Sequence, residues 1–87
     1  MPYAILLAED VEKFLAKVGA GEEERITKRL EKLKGNPYHY LERKGDTWIM
    51  KVGSKGYRIA VDVDDQKQEI RVLFVQKRSR FYREFDV

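Results

Sequence analysis

Two stretches of the chain carry positive charge without any acidic residue, and they contain the side chains best suited to chemistry. Their cations are Lys51, Lys55 and Arg58 in residues 47–61, and Arg71, Lys77, Arg78, Arg80 and Arg83 in residues 71–83. The rest of the chain has ten basic and fifteen acidic residues and is net −5. This separation of charge predicts an anionic partner such as a nucleic acid. The alternative, two solvated strand faces, stays open.

Composition excludes several kinds of catalysis. The 87 residues include no cysteine and one histidine, His39. Thiolate nucleophiles, Cys-ligated zinc, iron–sulfur clusters and two-histidine mechanisms are therefore excluded. No apolar run approaches the roughly 20 residues that span a bilayer, and residues 1–7 are too short for a signal peptide. We expect a single domain, residues 1–87, in the cytoplasm.

The N-terminal half of the chain has a helical period. Residues 2–7 form a short apolar stretch, which predicts a buried strand. Asp10 can cap a first helix, and acidic residues 22–24 suit the start of a second helix that ends near Pro37. The first helix has one apolar stripe, formed by Val11, Phe14, Leu15 and Val18.

After residue 40 the hydrophobic period changes to 2, which predicts three strands. They cover residues 47–52, 57–63 and 69–76. The links between them are short, so both junctions should be antiparallel hairpins. The predicted fold class is α+β, with two N-terminal helices packed on one face of a small, mainly antiparallel sheet in the order β-α-α-β-β-β.

Direct closure of the two turns would pair Val52 with Tyr57 and Val63 with Gln68, and alternation then sorts the side chains into two faces. The face that the helices should cover consists of Trp48, Met50, Val52, Tyr57, Ile59, Val61, Ile70, Val72 and Phe74. The other face should be open to solvent or to an anionic ligand, and it consists of Ile49, Lys51, Arg58, Ala60, Arg71, Leu73, Val75 and Lys77.

The predicted register places Lys51 directly opposite Arg58. Like charges that face each other across a sheet are destabilising. A bound phosphate would explain the pair, since the guanidinium offers a planar fork and the ammonium a compact charge. The alternative is that both side chains splay into water, at a cost of about a few tenths of a kcal/mol.

The element order, the stretch WIMKVGSKGYRIAV (residues 48–61) and the tail VQKRSRFY (residues 75–82) together resemble the RelE/ParE toxin superfamily. The resemblance covers nearly the whole chain. It implies a RelE-like toxin of a toxin–antitoxin pair, an mRNA interferase that enters the ribosomal A site and cuts messenger RNA without a metal or cofactor. The implied partners are a RelB-like antitoxin, the ribosome, messenger RNA, and operator DNA contacted through the antitoxin.

The implied reaction is attack of a ribose 2′-hydroxyl on the adjacent phosphate, which needs a base, an acid and cations around the intermediate. An ordinary lysine is protonated at neutral pH, but a nearby cation disfavours its charged form. Lys51 is therefore the candidate base or electrostatic stabiliser. The resemblance implies that Arg58 clamps the scissile phosphate and that Arg78 stabilises or protonates the leaving group. It also implies that Tyr82 is a platform or hydrogen-bonding partner for the substrate nucleotide.

Five further cations are candidate RNA contacts, namely Lys55, Arg71, Lys77, Arg80 and Arg83. The chain departs from the family pattern at Ile49, where some RelE-like toxins have a second lysine. Spacing near the C-terminus also varies in the family, so Phe81 or Arg80 could take the roles assigned to their neighbours. The missing lysine keeps open a ParE-like, non-enzymatic gyrase poison and a degenerate toxin that only binds its antitoxin.

Two aromatic or histidine positions have a single structural interpretation. We expect His39 to be exposed in a loop and Trp48 to anchor the core. The Phe81–Tyr82 pair has two interpretations. The rings could stack on RNA bases, or they could tuck a short terminal helix onto the sheet.

Overall fold

The structure, a computed structural model, describes residues 2–53 and 56–85. Its elements are β1 (Ala4–Leu7), α1 (Glu9–Lys17), α2 (Ala20–Glu31), β2 (Leu41–Lys44), β3 (Thr47–Val52), β4 (Tyr57–Asp64), β5 (Glu69–Lys77) and α3 (Arg78–Glu84). Two 3₁₀ turns, Lys32–Lys34 and Pro37–His39, connect α2 to β2. The predicted α+β class and element order are confirmed, with β2 and α3 as additions.

The five strands form one sheet in the order β1-β5-β4-β3-β2. β1 runs parallel to β5, and every other neighbouring pair is antiparallel. A parallel pair needs a crossover, and here α1 and α2 lead from β1 to β2 at the opposite edge of the sheet, after which β3 and β4 bring the chain back to β5. The apolar stripes of the two helices cover one face and form the main core with residues such as Val11, Ile26, Leu30, Met50, Ile59, Val61, Ile70 and Val72. None of the helices within residues 2–53 and 56–85 is long and apolar enough to cross a membrane.

The helix starts differ from the predicted ones by a few residues. Ala8 is the N-cap of α1, so the predicted cap Asp10 lies inside the first turn, where its charge still complements the helix dipole. α2 begins at Ala20 rather than at residue 22, because Gly19 turns the chain with a φ of 99°. That left-handed conformation favours glycine and lets α2 follow α1 directly.

The first hairpin has the predicted register and the second does not. Val52 pairs with Tyr57 as predicted. Val63 pairs with Ile70 instead of Gln68. Asp64 pairs with Glu69, so the turn still has four residues but is shifted by one position to residues 65–68, where Gln68 adopts a φ of 55°.

A β-bulge in β5 changes which residues face the helices. Ala60 pairs with Phe74 but Val61 pairs with Val72, which leaves Leu73 as the extra residue. One extra residue inverts the alternation beyond it. The predicted faces of Phe74, Val75 and Lys77 are therefore wrong. Val75 packs in the main core, Phe74 lies on the opposite face, and Lys77 pairs with Tyr57 on the helix side.

The face away from α1 and α2 is partly covered by α3. Phe81 is 0% exposed and forms a second core with Ile49 and Ala60, against which Phe74 and Phe85 also pack. The expectation of an open face is therefore wrong around Ile49 and Ala60. Phe81 of the Phe81–Tyr82 pair therefore packs a short terminal helix onto the sheet, which is one of the two interpretations given above.

The predictions for Trp48 and His39 are confirmed. Trp48 packs against the main core and contacts the Tyr38 ring edge-on, with 5.1 Å between centroids. His39 is exposed. Its ring contacts that of Tyr40, with 4.9 Å between centroids.

Asp65 ties the β4–β5 turn to two distant parts of the chain. The hydroxyls of Tyr3 and Tyr38 donate to its two carboxylate oxygens at 2.7 and 2.8 Å. These hydrogen bonds lower the pKa of Asp65. The bond to Asp65 raises the pKa of Tyr3, while burial followed by the same carboxylate raises the pKa of Tyr38 to about 12.

Candidate functional site

Lys51 and Arg58 are Cα partners on β3 and β4, as the sequence predicts. The side chain of Lys51 is 49% exposed, and its Nζ lies 3.4 Å from Oε1 of Glu42 on the neighbouring strand. Glu42 pairs with Ile49, so it reaches Lys51 diagonally. Its carboxylate offsets part of the repulsion between the two cations, so a bound phosphate is not needed to explain the pair.

Arg58 is the one buried charged residue among residues 2–53 and 56–85, with 4% of its surface exposed. Its Nη1 donates to the backbone carbonyls of Tyr57 at 3.0 Å and Gly53 at 3.3 Å. These bonds orient the guanidinium beside the β3–β4 turn. The expectation that both cations are solvent-exposed is therefore met by Lys51 and not by Arg58.

Two glycines allow the tight turn beside Arg58. Gly53 has a φ of 74°, a conformation that other residues rarely adopt, and a Cβ there would lie 2.6 Å from an Nη atom of Arg25 on α2. A Cβ on Gly56 would collide with the backbone carbonyl oxygen of Val52. The backbone conformation therefore favours glycine at position 53 and the contact with Val52 requires it at position 56, while the Arg25 side chain of α2 lies against the turn.

α3 brings Arg78 and Tyr82 towards this turn. The backbone N–H of Arg78 donates to the carbonyl of Gly56 at 2.9 Å, so the start of α3 is bound to the turn. Gln76, the strand partner of Arg58, donates through Nε2 to Oε1 of Glu84 at 3.3 Å. Arg78 and Tyr82 lie one helical turn apart on the same side of α3. Tyr82 is 45% exposed.

Arg78 and Lys77 also line a groove of about 1160 Å³ between the sheet end and the two N-terminal helices. The other cations that line it are Lys13, Lys17 and Arg25, and its carboxylates are Asp10 and Glu22. Tyr57 lies in the same groove, where burial, followed by a hydrogen bond to Glu22, raises its pKa. The groove continues the positive surface from Arg78 to the helix side, where Lys77 faces.

The other candidate RNA contacts are dispersed. Arg71 pairs across the sheet with Asp62, four residues or roughly 13 Å along β4 from Arg58, and its Nη2 lies 3.6 Å from a carboxylate oxygen of Glu69. The Nε of Arg80 lies 2.9 Å from a carboxylate oxygen of Glu84. Arg83 is exposed in the last turn of α3. Lys55 lies outside the described residues.

Two polar residues near the pair were not predicted. Glu42 lies on β2, a four-residue strand of sequence LERK that lacks a strong hydrophobic period. Arg29 of α2 reaches the backbone carbonyl of Lys51 at 3.1 Å. Nothing in the sequence distinguishes a helical arginine that contacts a strand from one that is exposed to solvent, so only the tertiary structure reveals the contact of Arg29 with Lys51.

The fold and the site together define a small α+β protein whose cations gather at one hairpin turn and beside a docked C-terminal helix. No protein-family model matches the chain, and no curated protein matches it by sequence. Comparison with solved structures does give matches.

The chain is 30% identical to the isolated E. coli RelE toxin, with 94% of this chain and 93% of that chain covered and a TM-score of 0.71. It is 28% identical to a chain of the intact E. coli RelBE toxin–antitoxin complex, with 86% and 95% covered and a TM-score of 0.74. A chain of the archaeal RelE–RelB complex from Pyrococcus horikoshii is 22% identical, with 92% and 99% covered and a TM-score of 0.74, which shows a shared fold. The chain belongs to the RelE-like toxin superfamily.

Proposed function

We propose that this chain is the toxin of a toxin–antitoxin system and acts as a ribosome-dependent endoribonuclease, without a metal ion, on messenger RNA in the A site. The observation that carries the proposal is the Lys51–Arg58 pair on adjacent strands of a RelE-like fold. Because the two residues are directly paired across β3 and β4, an ammonium and a planar guanidinium are available to contact the same phosphate.

In the proposed reaction the ribose 2′-oxygen attacks the adjacent phosphorus while the bond from phosphorus to the 5′-oxygen breaks. The products are a 2′,3′-cyclic phosphate and a 5′-hydroxyl. Lys51 accepts the 2′-proton or stabilises the added negative charge, and Arg58 holds the non-bridging phosphate oxygens. Arg78 stabilises or protonates the departing 5′-oxygen.

The position of Tyr82 supports its proposed role. Tyr82 is exposed on α3 and can stack on or hydrogen-bond to the substrate nucleotide. Arg58 is 4% exposed, so contact with a phosphate requires the groups that cover it to move. Its two carbonyl partners keep the guanidinium oriented until then.

We further propose that a RelB-like antitoxin binds this toxin and that the pair contacts operator DNA through the antitoxin. Several of the similar structures are RelE chains in complex with RelB. The ribosome and messenger RNA are the proposed targets, so the proposed location is the cytoplasm.

A second function, ParE-like poisoning of gyrase without catalysis, is favoured by Ile49. Ile49 stands where some RelE-like toxins have a second lysine, and here it is 1% exposed beneath Phe81. That position belongs to a hydrophobic core and cannot present a cation. The site therefore has fewer cations than those relatives.

The two functions are separated by adding the purified full chain to a cell-free translation reaction and mapping messenger RNA ends by primer extension. We expect codon-phased cuts from the wild type, a loss of at least tenfold in Lys51→Met and Arg58→Lys, and no change in Lys28→Gln, a control on the exposed side of α2. Arg58→Lys keeps the buried charge and is preferred to alanine, which would leave a cavity.

Intact messenger RNA with the folded wild type would refute the nuclease proposal. Intact messenger RNA together with inhibited supercoiling in a gyrase assay would support the second function.

A further inference from the structure

Arg29 is connected to the candidate site through the main chain of β3. It lies on α2, and its Nη2 donates to the backbone carbonyl of Lys51 at 3.1 Å. Its Cζ lies 5.7 Å from the centroid of the Tyr40 ring. The Nε atom is buried and has no hydrogen-bond partner within the described part of the chain. The guanidinium is therefore held between a ring and a strand edge.

The strand edge at Lys51 needs such a partner. The ladder between β2 and β3 ends with the pair Leu41 and Met50. Lys51 is the next residue of β3, so no residue of β2 faces it. An edge carbonyl without a strand partner is left to water or a side chain, and a charged donor gives the stronger bond. Arg29 takes the place that a longer β2 would occupy.

The helix that carries Arg29 is firmly anchored. Ile26 is 0% exposed and Leu30 is 3% exposed, and both pack in the main core. Arg29 lies between these two anchors in the sequence. The bond to Lys51 therefore connects the site to a helix that is packed into the main core.

We propose that Arg29 is a positioning residue for Lys51, an inference that depends on the proposed nuclease function. By holding the main chain of β3 at Lys51, it keeps Lys51 in register with Arg58 on β4. Arg29 touches neither substrate nor reacting atoms. Its loss should therefore lower the rate of the chemical step and leave substrate binding nearly unchanged, because small misplacements of a reacting group are costly.

The test is single-turnover cleavage on programmed ribosomes by the full chain. Arg29→Met should reduce the maximal rate by about tenfold and change the half-saturating ribosome concentration by less than about twofold. Arg29→Lys, which keeps the charge and a donor, should recover part of the rate. Lys28→Met, which removes an exposed side chain that forms an ion pair with Glu24, should behave as the wild type.

A double-mutant cycle distinguishes positioning from general stability. In a Lys51→Met background, Arg29→Met should cause no further loss, because the group that it positions is gone. Hydrogen exchange adds a readout independent of cleavage, since amides of residues 50–52 should lose protection in Arg29→Met and not in Lys28→Met. Urea unfolding shows whether each variant is folded. If Arg29→Met does not fold, the same measurements of rate, double-mutant coupling and hydrogen exchange on Arg29→Lys test the inference.

Two results would overturn the inference, namely wild-type rates in Arg29→Met, or equal losses with and without Lys51. If the wild type itself does not cut, the nuclease proposal fails and the positioning role fails with it. Unchanged amide hydrogen exchange at residues 50–52 in Arg29→Met would refute the idea that the bond from Arg29 to the Lys51 carbonyl constrains β3.

Discussion

Removing the Phe81 ring should detach α3 from the sheet and destabilise the whole domain. Phe81 is fully buried, and its ring centroid lies 5.7 Å from that of Phe74 and 5.5 Å from that of Phe85. It also covers Ile49 and Ala60. Truncating a buried phenylalanine costs about 3–5 kcal/mol, from lost transfer free energy and the cavity that remains.

The cost at this site should fall at the lower end, about 3 kcal/mol, because a short terminal helix can undock instead of enclosing a cavity. For a domain of this size that corresponds to a fall in Tm of roughly 12–24 °C. Phe81→Leu refills most of the volume and should cost less than about 1.5 kcal/mol.

Urea and thermal unfolding of Phe81→Ala, Phe81→Leu and Tyr82→Ala measure this difference. Tyr82 is 45% exposed and contacts the Phe81 ring edge-on, with 5.0 Å between centroids, so its removal should cost about 1 kcal/mol or less. Equal losses in Phe81→Ala and Tyr82→Ala would refute the second core. The same would follow from a loss below about 1 kcal/mol in Phe81→Ala.

Three further predictions follow from the turns and the ion pair. Gly56→Ala should lower the free energy of unfolding in urea by about 1–3 kcal/mol and weaken the proposed cleavage, because its Cβ collides with a carbonyl across the turn. Gly21→Ala is the control, because the space around this position in α2 is open, and it should leave stability unchanged or raise it. Asp65→Ala should lower Tm at neutral pH. Because the folded pKa of Asp65 is depressed, its contribution to stability is present above the unfolded pKa and is lost as pH falls through the folded pKa. A Tm difference between Asp65→Ala and the wild type that persists in acid would contradict this stabilising role of the Asp65 carboxylate. Glu42→Gln removes the carboxylate beside Lys51. It should therefore tighten binding of an uncleavable 2′-deoxy oligonucleotide, measured by fluorescence anisotropy, at low salt and have less effect at high salt. The free energy of unfolding should change by less than about 1 kcal/mol. A salt-independent change in oligonucleotide affinity would count against this electrostatic explanation.

The sequence alone predicts the elements whose signals are local. The helical stripes, the change of period after residue 40 and the short turn of the first hairpin determine the α+β order and the pairing of Lys51 with Arg58. These features depend on the spacing of neighbouring residues, which the chain carries directly. The resemblance to RelE-like toxins rests on the same segment.

Tertiary structure alone decides the features that depend on packing between distant segments. The bulge at Leu73 reverses the faces of Phe74, Val75 and Lys77, because one unpaired residue inverts a period of 2. The docking of α3, the burial of Arg58 and the reach of Arg29 to β3 likewise join residues far apart in sequence. Which cations stay exposed is therefore set by how the two cores pack on opposite faces of the sheet. No local pattern encodes that packing, because burial depends on all the segments that pack together.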